Sequence, residues 1–177
     1  MLMDHLALQG KDVLGFAEPY HDFVKKLLAH SEDPWTDVLL FALDRWLLKP
    51  KVAEWLSQGK TLVSSRSIYC SLAYQGAQGV KWDEILRANR WRSLRLPDVC
   101  LILDVEPGIA FSRCSRTDKF EKEDFLALVR AQYLRICRNA NRFPTRMILI
   151  DANATIDEVL HRALEAIGTR RRTRRPS

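Results

Sequence analysis

The chain has no apolar run near the roughly 20 residues that a membrane-spanning helix needs. Its first residues, Met1-Leu2-Met3-Asp4-His5, lack the basic-then-apolar order of a secretory signal. Its four cysteines, Cys70, Cys100, Cys114 and Cys137, lie far apart with no CxxC pair, so neither a disulfide framework nor a zinc knuckle is indicated. Reduced thiols in a cytoplasmic protein are the expectation. Internal repeats are absent, which excludes a solenoid. The run G-x-x-x-x-G-K-[ST], which cradles nucleotide phosphates between a strand and a helix, occurs nowhere.

What is present is ordinary for one globular domain: 177 residues, 47% hydrophobic and 28% charged. The net charge of +6 is unevenly placed. Arg170, Arg171, Arg172, Arg174 and Arg175 fall in the last eight residues, and without them the body carries +1. Residues 168–177 read as a basic tail, most simply a solvated end, and nucleic acid is not expected as a partner.

Apolar stretches alternate between strand and helix lengths. Residues 1–9 read as the end of a helix, stopped at Gly10. Asp12–Phe16 reads as a short strand leading to Ala17-Glu18-Pro19. His21–His30 reads as a helix with a stripe of Phe23, Val24, Leu27 and Leu28. Asp33-Pro34 opens a long helix that runs to Gln58 and ends at Gly59. Leu62-Val63 belongs to a buried strand, Ser64–Ser67 to a turn, and Ser67, Ser71 and Tyr74 to one face of the helix that follows. Residues 82–91 read as helix. Val99–Asp104, apolar without alternation, reads as a strand covered on both faces. A helix from Pro107 to Arg113, a charged loop, an amphipathic helix from Lys122 to Ala140, a strand at Met147–Ile150 and a helix at 155–167 complete the chain. The order implies an α/β fold of parallel strands joined by right-handed crossovers.

Arg66 stands in a turn at the C-terminal end of a parallel strand, where open α/β sheets bind ligands, and is suited to clamp an oxyanion. A loop arginine exposed to solvent fits the same spacing. Phe41 and Arg45 share a helix face; taken alone they read more simply as a core ring and a surface ion pair. Most of the five tryptophans read as core or interface residues.

Several of these stretches, read together, resemble the thymidylate kinase family. Arg66 followed by Ala73-Tyr74-Gln75-Gly76 is similar to that family's signature, with Ser65 and Ser67 where the family has aspartate and tyrosine. Leu40-Phe41-Ala42-Leu43-Asp44-Arg45, Pro97-Asp98 through Leu103-Asp104-Val105, and Asp118-Lys119-Phe120-Glu121 match further family segments in the same order. The resemblance covers residues 1 to about 167 and implies a three-layer P-loop kinase fold that transfers phosphate from ATP to dTMP with Mg²⁺. It implies roles for Phe41 on the base, Arg45 on its edge, Arg66 on the acceptor phosphate, and Glu18, Ser71, Tyr74 and Gln75 around the acceptor pocket. Arg113, Arg116 and Lys119 become cations of a lid over residues 113–121, and Arg66 and Arg116 the catalytic cations. A homodimer is implied as well. The lysine at 119 keeps the charge of the family's arginine and loses its fork.

The resemblance also places the missing phosphate loop, and a central strand before it, ahead of Met1. An in-frame apolar strand and G-x-x-x-x-G-K-[ST] upstream of Met1 are therefore expected, and the 177-residue chain alone is expected to be inactive, since the loop holds the β- and γ-phosphates. Other readings stay open: a kinase for another nucleoside monophosphate, a non-catalytic nucleotide-binding or interaction protein, and nucleic-acid binding through the tail.

Overall fold

A computed structural model describes residues 1–113 and 122–168. In chain order these form α1 (Leu2–Leu8), β1 (Val13–Ala17), α2 (Asp22–Ala29), α3 (Pro34–Ser57), β2 (Thr61–Ser65), α4 (Ile68–Ala77) and α5 (Trp82–Ala88). There follow β3 (Val99–Asp104), α6 (Pro107–Arg113), α7 (Glu123–Arg138), β4 (Arg146–Asp151) and α8 (Ile156–Gly168), with short 3₁₀ turns at Trp91–Ser93 and Ala140–Arg142.

Local chemistry explains most of these bounds. Asp33 caps α3, its carboxylate accepting the Thr36 N–H at 2.7 Å, and Pro34 fills the first turn. Gly59, at φ 79°, takes the left-handed turn after that helix. Pro50 lies inside α3 and supplies no N–H there, so the helix loses one ladder bond. The Ser67 hydroxyl caps α4 by accepting from the Tyr69 N–H.

The fold is α/β with parallel strands flanked by helices. β1 pairs with β2 from Val13 opposite Thr61 to Ala17 opposite Ser65, and β3 pairs with β4 from Val99 opposite Arg146 to Asp104 opposite Asp151. The two pairs form separate sheets. Among the described residues no strand pairs with the second edge of β2 or of β3, the arrangement expected of a P-loop kinase sheet without its central strand. The core forms where α4, α5 and α7 pack over β3: Ile68, Tyr69, Leu72, Ile85, Ile102, Val129 and Ile136 are all buried. No helix among the described residues is long and apolar enough to cross a membrane.

Three sequence expectations require correction. The stripe on α2 is only half covered, since Val24 is buried and Phe23 and Leu27 are exposed. β3 is not covered throughout on both faces, since Ile102 is buried and Leu103 is 55% exposed. On α7, Val129 and Ile136 are buried and Leu128 is exposed. Cys70, Cys100 and Cys137 are free and half-buried.

Candidate active site

All four strands run in parallel within their pairs, so their C-terminal ends define the site. β1 ends in Glu18-Pro19, joined by a cis peptide bond, and β2 ends in Arg66. The Glu18 backbone closes onto β2 through its N–H to Ser65 O at 3.0 Å. Arg66 has φ 74°, a left-handed conformation that side chains other than glycine adopt at a cost of about 1–2 kcal/mol. Its Nε donates to the Glu18 carbonyl oxygen. Nη1 and Nη2 have no partner among the described residues and face solvent beside the start of α4, where helix N–H groups favour an anion.

Beneath Arg66 lies a buried polar knot. Arg45 of α3, 6% exposed, places Nε and Nη2 each 2.8 Å from Glu18 Oε2. Nη1 donates to Asn89 Oδ1 at 2.7 Å, and Nη2 donates to the Ser71 hydroxyl of α4 at 3.0 Å. The three hydrogen bonds, to Glu18, Asn89 and Ser71, leave one N–H on Nη1 without a hydrogen bond among the described residues. The Ser71 oxygen accepts, so its own proton remains available to donate. Asn89 is oriented in turn by Ile85 O, to which its Nδ2 donates at 2.8 Å. The Phe41 ring, one turn before Arg45, lies 5.5 Å from the guanidinium carbon. Asp44, next in sequence to Arg45 and fully buried, accepts from the Tyr20 and His21 N–H groups at 2.8 and 2.9 Å and lies 2.8 Å from His21 Nδ1. It ties the turn after Glu18 to the same helix.

Of the residues expected at the acceptor pocket, Glu18, Phe41, Arg45, Arg66 and Ser71 thus come together. Glu18 contributes its carboxylate to Arg45 and its carbonyl to Arg66. Tyr74 turns its ring toward α7, 6.2 Å from Phe125 and 6.5 Å from Tyr133. Gln75 is buried, and its Oε1 has no hydrogen-bond partner. Burial pushes the neighbouring Tyr133 hydroxyl and Cys70 thiol above their ordinary values, so both stay protonated. Asn89 was not anticipated from the sequence: it lies 44 residues from Arg45, and no periodicity links the two.

The ends of β3 and β4 are built differently. Arg130 of α7 grips Asp104 with Nε at 2.7 Å and Nη2 at 3.1 Å, and reaches Glu106 with Nη1 at 2.8 Å. Hydrogen bonds to Asp104 and then Glu106 raise its already high affinity for the proton. The Glu106 N–H donates to Asn153 Oδ1 at 2.8 Å. The Asn153 N–H in turn holds the Asp151 carboxyl below its usual range. Arg113 donates to the Ala152 and Ala154 carbonyls at 2.9 and 3.3 Å. Arg116, Lys119 and most of the expected lid lie outside the described residues. Among those described, no group of three or more His, Cys, Asp or Glu could hold a metal ion. With no G-x-x-x-x-G-K-[ST] run in the sequence, the residues present do not form a cradle for a triphosphate and Mg²⁺.

A thymidylate kinase family model matches residues 18–163. The chain is similar to a probable thymidylate kinase of Methanobrevibacter smithii, 35% identical over 90% of this chain and 80% of that protein. It is likewise similar to one of Staphylothermus marinus, 33% identical over 94% and 84%. The thymidylate kinase of Caldanaerobacter subterraneus subsp. tengcongensis is 32% identical over 94% of this chain and 86% of its own. The match spans both the Glu18–Arg45–Ser71 knot and the β3–β4 end, and the chain belongs to the thymidylate kinase family.

Proposed function

We propose that the pocket over Arg45 binds dTMP as the acceptor of a phosphoryl group from ATP. The observation that carries this reading is the spare N–H of a buried Arg45 held beside the Phe41 ring and the Ser71 hydroxyl. A pyrimidine stacked on Phe41 would present a carbonyl edge to Arg45, and the Glu18 pairing fixes the guanidinium before substrate arrives. Arg66, with two free terminal nitrogens, would take the acceptor phosphate bidentately. Ser71 would donate to the base edge, and Tyr74 and Gln75 would close the sugar side; the unpaired Gln75 oxygen is the kind of unmet acceptor that costs about 1–3 kcal/mol without a ligand.

ATP supplies the transferred group, and Arg113, Arg116 and Lys119 would meet it from the donor side. Among the described residues no cradle for the donor phosphates is present, and no chemical step there falls to them. The cytoplasm, where reduced thiols and nucleotides coexist, is the compartment this reading requires.

A second copy of the chain is the proposed partner. Trp35, Leu39, Leu43 and Leu47 recur every four residues on α3 and are exposed, as are Phe23 and Leu27 on the adjacent α2. Such a stripe is the geometry for packing helix on helix. Sedimentation equilibrium should give a dimer that Leu43→Glu converts to monomer; a monomer at all concentrations would contradict it.

Titration calorimetry tests the acceptor site. dTMP should bind, and Phe41→Ala should weaken it about tenfold through lost stacking, about 1.4 kcal/mol. Unchanged affinity would overturn the assignment of the base to Phe41. Preference for another nucleoside monophosphate over dTMP would move the reading to that substrate.

A further inference from the structure

Position 21 is the N-cap of α2. The side chains that serve such a position are serine, threonine, aspartate and asparagine, whose oxygens accept an N–H of the first turn. His21 makes no such side-chain bond. Its carbonyl accepts from the Val24 and Lys25 N–H groups at 3.1 and 3.2 Å, and its ring turns aside to α3. There Nδ1 lies 2.8 Å from Asp44 Oδ1. Asp44 Oδ1 also accepts the His21 N–H, and Oδ2 accepts the Tyr20 N–H, so both oxygens are acceptors and Nδ1 is the donor. The Asp44 side chain has no exposure to solvent, and that of His21 has 26%. Tyr20, edge to face at 5.2 Å, and Phe23 at 5.8 Å flank the imidazole. The needs of α2 do not account for a histidine here, whereas the bond to Asp44 does.

That bond completes a grip on one turn. Asp44 and Arg45 are successive residues of α3, and they hold opposite ends of residues 18–21. Arg45 takes the Glu18 carboxylate at 2.8 Å, and Asp44 takes Tyr20 and His21. Between the two grips the Glu18 carbonyl oxygen accepts from Arg66 Nε. A guanidinium is planar, so the partner of Nε constrains the plane in which both terminal nitrogens lie. The position of that carbonyl therefore governs where Arg66 Nη1 and Nη2 point. Tyr20 is anchored separately, its hydroxyl accepting from Lys51 Nζ at 2.8 Å. Loss of the His21 ring bond should thus shift the turn without releasing it.

We propose that His21 is a positioning residue for Arg66: through Asp44 its ring holds the turn that carries the Glu18 carbonyl, and with it the direction of the Arg66 fork. The proposal rests on the reading that places Arg66 on the acceptor phosphate. It gives His21 no contact with the ligand. The effect is confined to ligands that carry a phosphate, since Arg45, which meets the base in that reading, keeps its bonds to Asn89 and Ser71.

The test is calorimetry with dTMP and with thymidine, which lacks the phosphate, on the 177-residue chain and on His21→Ser and His21→Ala. Serine suits an N-cap, so the melting temperature should hold in His21→Ser. Alanine, which cannot bond Asp44 through its side chain, is the second variant. Both should weaken dTMP about fivefold and leave thymidine within about twofold. In an Arg66→Ala background the same replacements should change dTMP affinity less than about twofold, since the group they position is gone. Equal losses for dTMP and thymidine would mean a general loosening and overturn the proposal. Unchanged dTMP affinity, or full additivity with Arg66→Ala, would overturn it too. A parent chain that binds dTMP no better than thymidine refutes the phosphate role of Arg66, and the proposal with it. A parent chain that binds neither refutes the acceptor reading itself. Hydrogen exchange of the Glu18 N–H, bonded to Ser65 O, then decides whether His21 holds the turn: faster in His21→Ala if it does, unchanged if it does not.

Discussion

The two halves of the molecule present the C-terminal ends of their strands in opposite ways. In the β1–β2 half the polar groups are buried and mutually committed: Glu18, Arg45, Ser71 and Asn89 are each nearly or fully enclosed, and each has a partner within 3.0 Å. In the β3–β4 half the corresponding groups are partly exposed. Arg130 and Glu106 lie in an accessible ion-pair cluster, and Arg113 is spent on backbone carbonyls. A buried network holds one geometry because each rearrangement strands a charge without water. An exposed one exchanges partners at little cost. The β1–β2 end is therefore set before any ligand binds, whereas among the described residues the β3–β4 end has no comparably fixed network.

Truncation at each level should expose that contrast. Arg45→Ala strands the Glu18 carboxylate and two further buried partners, and a destabilisation of about 3–5 kcal/mol is expected in urea unfolding. Asn89→Ala removes one partner and leaves the Arg45 Nη1 group unpaired. It should cost about 1–3 kcal/mol, with weaker dTMP binding as Arg45 loosens. If binding is unchanged while stability falls, Asn89 is structural only. Arg66→Gly should separate stability from binding. It relieves a left-handed conformation, so stability should hold within about 1 kcal/mol or rise, while dTMP affinity drops for want of a clamp. Arg130→Ala should be mildest, under about 1 kcal/mol, since its pairs are reached by solvent; a loss as large as that of Arg45→Ala would erase the distinction between the halves.

Much of this frame was legible in the residues. Asp33-Pro34 and Gly59 mark the ends of α3 through capping chemistry that needs no tertiary context. The order Glu18, Phe41–Arg45, Arg66–Gln75 carried the family resemblance and brought five of the expected pocket residues to one place. What could not be read was coverage. Periodicity reports which face of an element is apolar and not whether anything packs on it, so Phe23, Leu27 and Leu103 looked like core and are exposed. Asn89 was illegible for a different reason: an asparagine just after a helix reads as a stop signal. Its role depends on α5 packing against α3, a long-range contact that no local pattern encodes.

The direct test of the account is to titrate the same 177-residue chain calorimetrically, first with dTMP and then with ATP and Mg²⁺. The preset acceptor half predicts one dTMP bound per chain, weak or undetectable binding of ATP, and no dTDP formed. ATP binding tighter than dTMP, or dTDP produced by this chain, would contradict it.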